Sequence, residues 1–239
     1  DSDSSQALVV DPGDSAPVVE FIESNKLTLS AILITHHHFD HTGGVDELKQ
    51  RYSPSVFGPN NQHITGIDHY LFEGDCIELL GVTFSILEIP GHTLDHIAYF
   101  AELPSVQVQA PVLFCGDTLF AGGCGRVFEG TSPMMHESLS RLAALPAHTR
   151  VYCAHEYTLA NARFALSVDP GNSALQRRTL DIEQMRDRGE ATSPTTMADE
   201  METNPFLRAS DAGIRRHLGM EDASDEAVFA EIRTRKDNF

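Results

Sequence analysis

The sequence predicts an α/β domain followed by a helical C-terminal subdomain, and three observations carry that prediction. Short β-branched runs alternate with helical periodicity through the first two thirds of the chain. The alternation fades after Glu156, and residue chemistry changes at the same place. Eleven of the twelve histidines fall in residues 1–156, whereas eleven of the seventeen Lys and Arg fall in 157–239. The expected domains are therefore 1–156 and 157–239.

Taken in order, Ala7 to Val10 is a short apolar run stopped by Asp11-Pro12-Gly13, so it reads as a strand and a turn. Val18, Val19 and Ile22 then recur at helical spacing between Ala16 and Asn25. Ala31 to Thr35 is continuous and β-branched, as in a strand buried on both faces, and Val45 to Tyr52 is helical behind Gly43-Gly44. Further strands are expected at Ser55 to Phe57, Val82 to Ile89, His96 to Ala101, Val112 to Cys115 and Arg150 to Cys153. Between the last two, a helix should run from Met134 to Leu145 with Ser132 as N-cap, Pro133 in its first turn and Pro146 as its stop. Tyr157 to Leu166, Ser173 to Arg188 and Asp225 to Thr234 supply the helical tail, and the polar stretch Gly189 to Glu202 is expected to be a mobile connection.

Over 239 residues, 41% hydrophobic and 22% charged is an ordinary globular composition. The formal charge of -18 argues against nucleic acid or an anionic membrane surface as a partner. No apolar run approaches the roughly 18 residues of a membrane span, and no charged-then-apolar leader is visible at Asp1 to Ser5. Cys76, Cys115, Cys124 and Cys153 form no C-x-x-C pair and are too sparse for a disulfide scaffold, which suits a reducing, cytoplasmic setting. Cys76, Cys115 and Cys153 read as buried small hydrophobes, and only Cys124, in a glycine-rich loop, is expected near a site.

Chemistry concentrates in Thr35-His36-His37-His38-Phe39-Asp40-His41-Thr42-Gly43-Gly44, directly after the buried strand. In an extended segment His36, His38 and Asp40 share one side, with His37 and Phe39 on the other and His41 reaching round through the turn. His36 with His38, set against Asp40 with His41, offers each of two adjacent ions its own ligand pair, and these donors suit zinc, iron or manganese. Remote ligands must come from other strand ends, where His92, Asp117 and His155 stand, and the two oxygens of Asp117 can bridge both ions. An affinity tag would be terminal and would lack the interposed Asp and the glycine pair. His63, His69, His96, His136, His148 and His217 read as surface or hydrogen-bonded core residues, and His37 as at most a neighbour of the ligands.

With these residues in view, the sequence resembles the metallo-β-lactamase superfamily, whose metal motif is His-x-His-x-Asp-His, and within it the glyoxalase II (hydroxyacylglutathione hydrolase) family. The match extends through Pro90-Gly91-His92-Thr93, Cys115-Gly116-Asp117-Thr118, Gly123-Cys124-Gly125-Arg126, Phe128-Glu129-Gly130-Thr131 and Ala154-His155-Glu156-Tyr157-Thr158. Asn204-Pro205-Phe206-Leu207-Arg208 and the ending Arg233-Thr234-Arg235-Lys236-Asp237 carry it through the tail, so it spans essentially the whole chain.

The resemblance implies an αβ/βα sandwich of two mixed sheets with a C-terminal helical subdomain that supplies part of a glutathione site. It implies His36, His38 and His92 on one divalent ion, Asp40, His41 and His155 on the other, and Asp117 with a water or hydroxide bridging them. Zinc is the expected metal, with iron or manganese as alternatives. For glutathione the family pattern maps to Arg126, Phe128, Tyr157 and Asn161 near the metals and to Arg233 and Lys236 in the tail. Arg126-Val127-Phe128 stands where some members have Lys-x-Tyr, which removes one hydroxyl contact. The family pattern also begins with strand residues ahead of the segment matching Ala7 to Val10.

The implied reaction is hydrolysis of an S-2-hydroxyacylglutathione thioester, with S-D-lactoylglutathione giving glutathione and D-lactate, a step in methylglyoxal detoxification. Hydroxide would attack the acyl carbon, a metal ion would stabilise the oxyanion, and Asp40 would orient or deprotonate the nucleophile. A monomer is the expected state. A mono-iron persulfide dioxygenase of the same superfamily is the alternative, sharing His36, His38, His92 and Asp117. A β-lactamase or lactonase explains the Cys-Gly-Arg loop and the basic tail less well, and a metal-binding module without turnover leaves the full two-metal ligand set unused.

Overall fold

The computed structural model describes residues 5–103 and 110–239, and the chain divides into two units. The first comprises Asp1–Ile89 with Asp95–Gln109, and the second Pro90–Leu94 with Ala110–Phe239.

In the first unit, β1 (Gln6–Val10), β2 (Thr28–Leu33), β3 (Ser55–Pro59) and β4 (His69–Leu71) form an all-parallel sheet in that order. Parallel neighbours require crossovers. Helix α1 (Ser15–Ser24) makes the first, and the short helix α2 (Phe39–Thr42) with α3 (Val45–Tyr52) the second. The Asp14 carboxylate caps α1 by accepting from the Ala16 N–H at 2.9 Å. Ile22, Leu29, Ile32, Ile34, Val45, Leu48, Val56 and Ile64 bury together as the core between sheet and helices. The strands β5 (Cys76–Leu79), β6 (Val82–Glu88) and β7 (Ile97–Ala101) follow as an antiparallel meander. Tyr99 of β7 is fully buried and donates its hydroxyl to the Ile34 carbonyl at 2.8 Å, while the Ile97 N–H donates to the Thr35 carbonyl at 2.9 Å. Both bonds tie the residues just past β2 to β7.

In the second unit, β8 (Val112–Phe114) pairs in parallel with β11 (Arg150–Tyr152), which pairs antiparallel with β12 (Thr195–Thr196). A two-stranded hairpin of β9 (Leu119–Phe120) and β10 (Gly123–Cys124) follows β8. Helices α4 (Ser132–Ala143), α5 (Thr158–Val168), α6 (Ser173–Asp187), α7 (Met197–Thr203), α8 (Ala212–Leu218) and α9 (Asp225–Asp237) complete the unit, with a 3-10 turn at Pro205–Leu207. Phe164, Phe206 and Phe229 are all buried, and Phe206 lies 6.0 and 5.8 Å, ring centre to ring centre, from the other two.

Three sequence expectations are corrected here. The N-cap of α4 is Thr131, which accepts from the Met134 N–H, and not Ser132, which is already helical. The stretch Gly189 to Glu202 is not a featureless connection, because Thr195–Thr196 joins the sheet and Met197–Thr203 is a helix capped by Thr196. Polar composition concealed it: the one fully buried acid there, Glu200, is satisfied by Arg178, Thr195 and Asn204. Of the three cysteines expected to be buried, Cys115 is, Cys153 is half-buried and Cys76 is exposed on β5; Cys124, expected near a site, is buried. No helix among the described residues is long and apolar enough to cross a membrane.

Candidate metal centre

In the first unit the ligand segment begins where β2 runs out. Asp11, immediately after β1, lies beside it because β1 and β2 are parallel neighbours. Its carboxylate accepts from the Thr35 N–H at 2.7 Å and from the Thr35 hydroxyl at 2.7 Å, and it stands 3.0 Å from His41 Nδ1. A carboxylate at Nδ1 holds the proton there and leaves Nε2 with the lone pair that a metal takes. His36 and His41 are buried, His38 is half-buried, and the Asp40 side chain is 61% exposed. His36 Nε2 lies 3.1 Å from His38 Nδ1. Two imidazole nitrogens on one tetrahedral ion stand about 3.3 Å apart, so this pair has the spacing of shared ligands.

The extended reading of this segment holds only to His38. Helix α2 starts at Phe39, so Asp40 and His41 sit on a helical turn, and Phe39 is left 80% exposed. The turn can form because Gly13 admits the Asp40 carbonyl, which would stand 1.9 Å from any Cβ placed there. His37 turns to Asp95 at 3.0 Å, and Asp95 accepts from the Asn61 amide at 2.8 Å. His96 is a buried core histidine, stacked on His36 with ring centres 4.5 Å apart.

In the second unit, parallel pairing matches Phe114 of β8 with Tyr152 of β11, and the residues three beyond each are Asp117 and His155. Adjacent strand ends therefore place them together. His155 Nε2 lies 3.4 Å from one oxygen of the buried Asp117, and His92 Nε2 lies 3.5 Å from the other. One imidazole at each carboxylate oxygen is the arrangement a bridging carboxylate requires. His92 Nδ1 stands 2.7 Å from the Arg126 carbonyl, which places its proton on Nδ1 and directs Nε2 to Asp117. Gly125 is required beside it, since a Cβ there would stand 1.9 Å from the Asp117 carbonyl. The donor sets in both units are thus imidazole and carboxylate, oriented by carboxylate or carbonyl partners, and they fit a divalent transition ion.

All six residues expected to meet glutathione, Arg126, Phe128, Tyr157, Asn161, Arg233 and Lys236, line one cavity of about 430 Å³ in the second unit, which also reaches His92 and Asp117. Tyr157 stacks on His155 at 5.0 Å between ring centres, and Phe128 sets its edge against His92 at 5.2 Å. Arg126 is an exposed cation at the rim, with its side chain 62% accessible. The Lys236 ammonium lies over Phe164 and Phe239, and burial, with Arg233 next, pushes it below its usual range. Asn161 is buried and donates to the Ala121 carbonyl at 3.2 Å, so its amide braces the β9–β10 hairpin. Arg233 is only 5% exposed, and burial raises the Cys124 thiol beside it to about 11 against the opposing pull of Arg233.

Asp11 and Glu200 escaped the sequence reading, and Asn204 entered it only as part of a matching segment, with no role. Asp11 read as part of a turn, and its only signal was a carboxylate at the end of a strand adjoining the ligand strand. Glu200 and Asn204 brace the hairpin from behind, Glu200 accepting from the Gly122 N–H at 2.8 Å and Asn204 donating to the Gly123 carbonyl at 2.9 Å. Glu200 carried no local pattern.

Residues 2–155 match the family profile described as the metallo-beta-lactamase superfamily, and residues 156–239 that described as hydroxyacylglutathione hydrolase C-terminus. The hydroxyacylglutathione hydrolase of Pseudomonas paraeruginosa (strain DSM 24068 / PA7) is 49% identical over 244 residues, covering 100% of this chain and 93% of its own. That of Pseudomonas putida (strain GB-1) is 50% identical, covering 98% of this chain and 91% of its own. Among solved structures, ETHE1 from Myxococcus xanthus superposes with a TM-score of 0.67 at 24% identity, covering 98% of this chain and 82% of that one, a likeness of fold.

Proposed function

The chain belongs to the hydroxyacylglutathione hydrolase family of the metallo-β-lactamase superfamily, and from that premise we propose how its residues divide the work of a thioester hydrolase. The reaction is cleavage of an S-2-hydroxyacylglutathione to glutathione and a 2-hydroxy acid, with S-D-lactoylglutathione and D-lactate as substrate and product in methylglyoxal detoxification. The observation that carries the reading is the cavity in which the basic and aromatic glutathione candidates meet His92 and Asp117.

His36, His38 and His92 are assigned to one divalent ion, Asp40, His41 and His155 to a second, and Asp117 to both, with zinc first and iron or manganese as alternatives. When bound, the ions would supply Lewis acidity and would make a coordinated water acidic near neutral pH. Asp11 keeps His41 in the tautomer that presents Nε2, and the Arg126 carbonyl does the same for His92. Asp40, with its side chain exposed, orients the attacking water and takes its proton. The leaving group is a thiolate whose acid has a pKa of about 8.5, so its departure needs no dedicated general acid.

Glutathione brings carboxylates into an otherwise acidic protein. Arg126, Arg233 and Lys236 supply local positive charge, Tyr157 a hydroxyl, and Phe128 an apolar wall. On this reading residues 1–156 form the catalytic domain and 157–239 the glutathione-binding subdomain, acting as a monomer in the cytoplasm.

The test is metal per chain measured beside hydrolysis of S-D-lactoylglutathione, with Asp40→Ala as control. Two metals, and turnover that disappears in the variant, are expected. About one iron, oxygen uptake on glutathione persulfide and no thioester hydrolysis would overturn the reading in favour of a dioxygenase.

A further inference from the structure

Arg233 is buried, and most of its donors are committed to the protein. Nη1 donates to the Cys124 carbonyl at 3.0 Å and to the Gly125 carbonyl at 3.4 Å. Nε and Nη2 both donate to Asp237 Oδ1, at 3.1 and 2.8 Å. The same oxygen lies 3.7 Å from Arg126 Nε. One carboxylate at the end of α9 therefore faces two of the three cations that line the cavity.

Helix chemistry does not account for Asp237. It sits in the last turn of α9, where the helix dipole disfavours an anion, and it follows Arg233 by four residues, the less favourable order for such a pair. What it does satisfy is the guanidinium. A planar fork held by a carboxylate on one edge has its other edge aimed, here at the backbone of the Cys124–Gly125 loop. That loop carries Arg126 and, through the Arg126 carbonyl, orients His92. Its opposite end is braced by Glu200 and Asn204, and backbone pairing of Cys124 with Leu119 and of the Gly125 N–H with the Thr118 carbonyl at 3.2 Å leaves the Cys124 and Gly125 carbonyls to the Arg233 fork.

The geometry points to Asp237 as a positioning residue of the substrate cavity: it clamps Arg233 onto the Cys124–Gly125 loop, and substrate affinity depends on that clamp. The inference rests on the thioesterase reading for its kinetic consequence but not for its structural one. The competing view is simple electrostatics, in which Asp237 is a surplus negative charge that weakens binding of an anionic substrate. The two predict opposite signs for Asp237→Asn. Removing a surplus charge lowers KM, whereas releasing the clamp raises it.

Cys124 is an internal reporter, because it is buried, contacts Arg233 Nη1 at 3.6 Å and belongs to the clamped loop. The experiment compares the full-length protein with Asp237→Asn and Asp237→Glu. Thiol alkylation by iodoacetamide is followed peptide by peptide, and KM and kcat for S-D-lactoylglutathione are measured alongside. Asp237→Asn is expected to speed labelling of Cys124 by about tenfold or more, with buried Cys115 unchanged as the control for global unfolding. It should raise KM by about three- to tenfold with kcat within about twofold, and Asp237→Glu should recover part of both effects. Unchanged Cys124 labelling, a fall in KM, or equal acceleration at Cys115 would each overturn the assignment. Because Asp237 also raises the Cys124 thiol, labelling is read beside hydrogen exchange at the Cys124 and Gly125 amides, which does not depend on the thiol's charge. Faster exchange there in Asp237→Asn is expected, and unchanged exchange would overturn the clamp. This holds even were the wild type unable to cleave the thioester, in which case only the functional reading would fail.

Discussion

Asp11 and His41, thirty positions apart, stand 3.0 Å apart as carboxylate and Nδ1, and the same carboxylate accepts from both the backbone and the hydroxyl of Thr35. One side chain thus fixes both where the ligand segment leaves its strand and which nitrogen of His41 is offered. Asp11 occupies a left-handed backbone conformation, φ 51°, that a non-glycine residue adopts only where its surroundings compensate, as the Thr35 bonds do here.

Asp11→Ala is therefore expected to weaken metal retention before it affects folding. Loss of a carboxylate partner to a ligating histidine typically lowers metal affinity by about 10- to 100-fold. Titration of the metal-free protein with zinc, compared with wild type, checks this, and an unchanged affinity would show that Asp11 serves only the Thr35 turn.

Gly125→Ala is expected to abolish most activity and to lower stability by about 1–3 kcal/mol, the usual cost of overpacking, because its Cβ would stand 1.9 Å from the Asp117 carbonyl. Gly171→Ala is the control, since a Cβ there meets nothing within 4 Å. Thermal melts and thioester hydrolysis of the two variants should separate cleanly.

Phe128→Tyr should lower KM. The ring is 62% exposed and lines the cavity, and the family resemblance implies a tyrosine hydroxyl at this place in some members. A hydrogen bond contributing about 0.5–1.5 kcal/mol corresponds to a gain of roughly two- to tenfold. Steady-state kinetics with kcat unchanged would bear this out, and an unaltered KM would place the peptide of glutathione elsewhere in the cavity.

Asp211 ties stability to acid. Burial pushes its carboxyl up, but the Ile214 N–H, the charge of Arg208 and the Gly213 N–H more than offset this and hold it below its ordinary value. A depressed carboxyl contributes stability above its unfolded pKa of about 3.9 and loses it as pH falls through the folded value. Asp211→Asn should thus be less stable than wild type at neutral pH, with the difference shrinking below about pH 4. Urea unfolding at pH 7 and pH 3 measures both, and a constant difference would mean that Asp211 acts only as the cap of α8.

Secondary structure was legible where one face of an element is apolar. Val45–Tyr52 matched its expected bounds, and β1, β2, β6 and α6 differed only at their ends, where the residue pattern and backbone hydrogen bonding do not stop at the same residue. It was illegible where burial is polar. The helix Met197–Thr203 encloses Glu200 in a ring of donors, and such a helix has the composition of a loop.

By itself the sequence determined which donors this protein possesses and that they stand at strand ends, because side-chain chemistry and strand periodicity are local properties. Only the tertiary structure decided how those donors are aimed. Asp11 reaches His41, Asp117 meets His155, and Asp237 holds Arg233 against Cys124, through parallel strand pairing in the first two cases and helix packing in the third. The contacts of Asp11 with His41, Asp117 with His155 and Arg233 with Cys124 each join residues far apart in the chain, so no window of neighbouring residues contains both partners, although Asp237 itself stands one helical turn from Arg233.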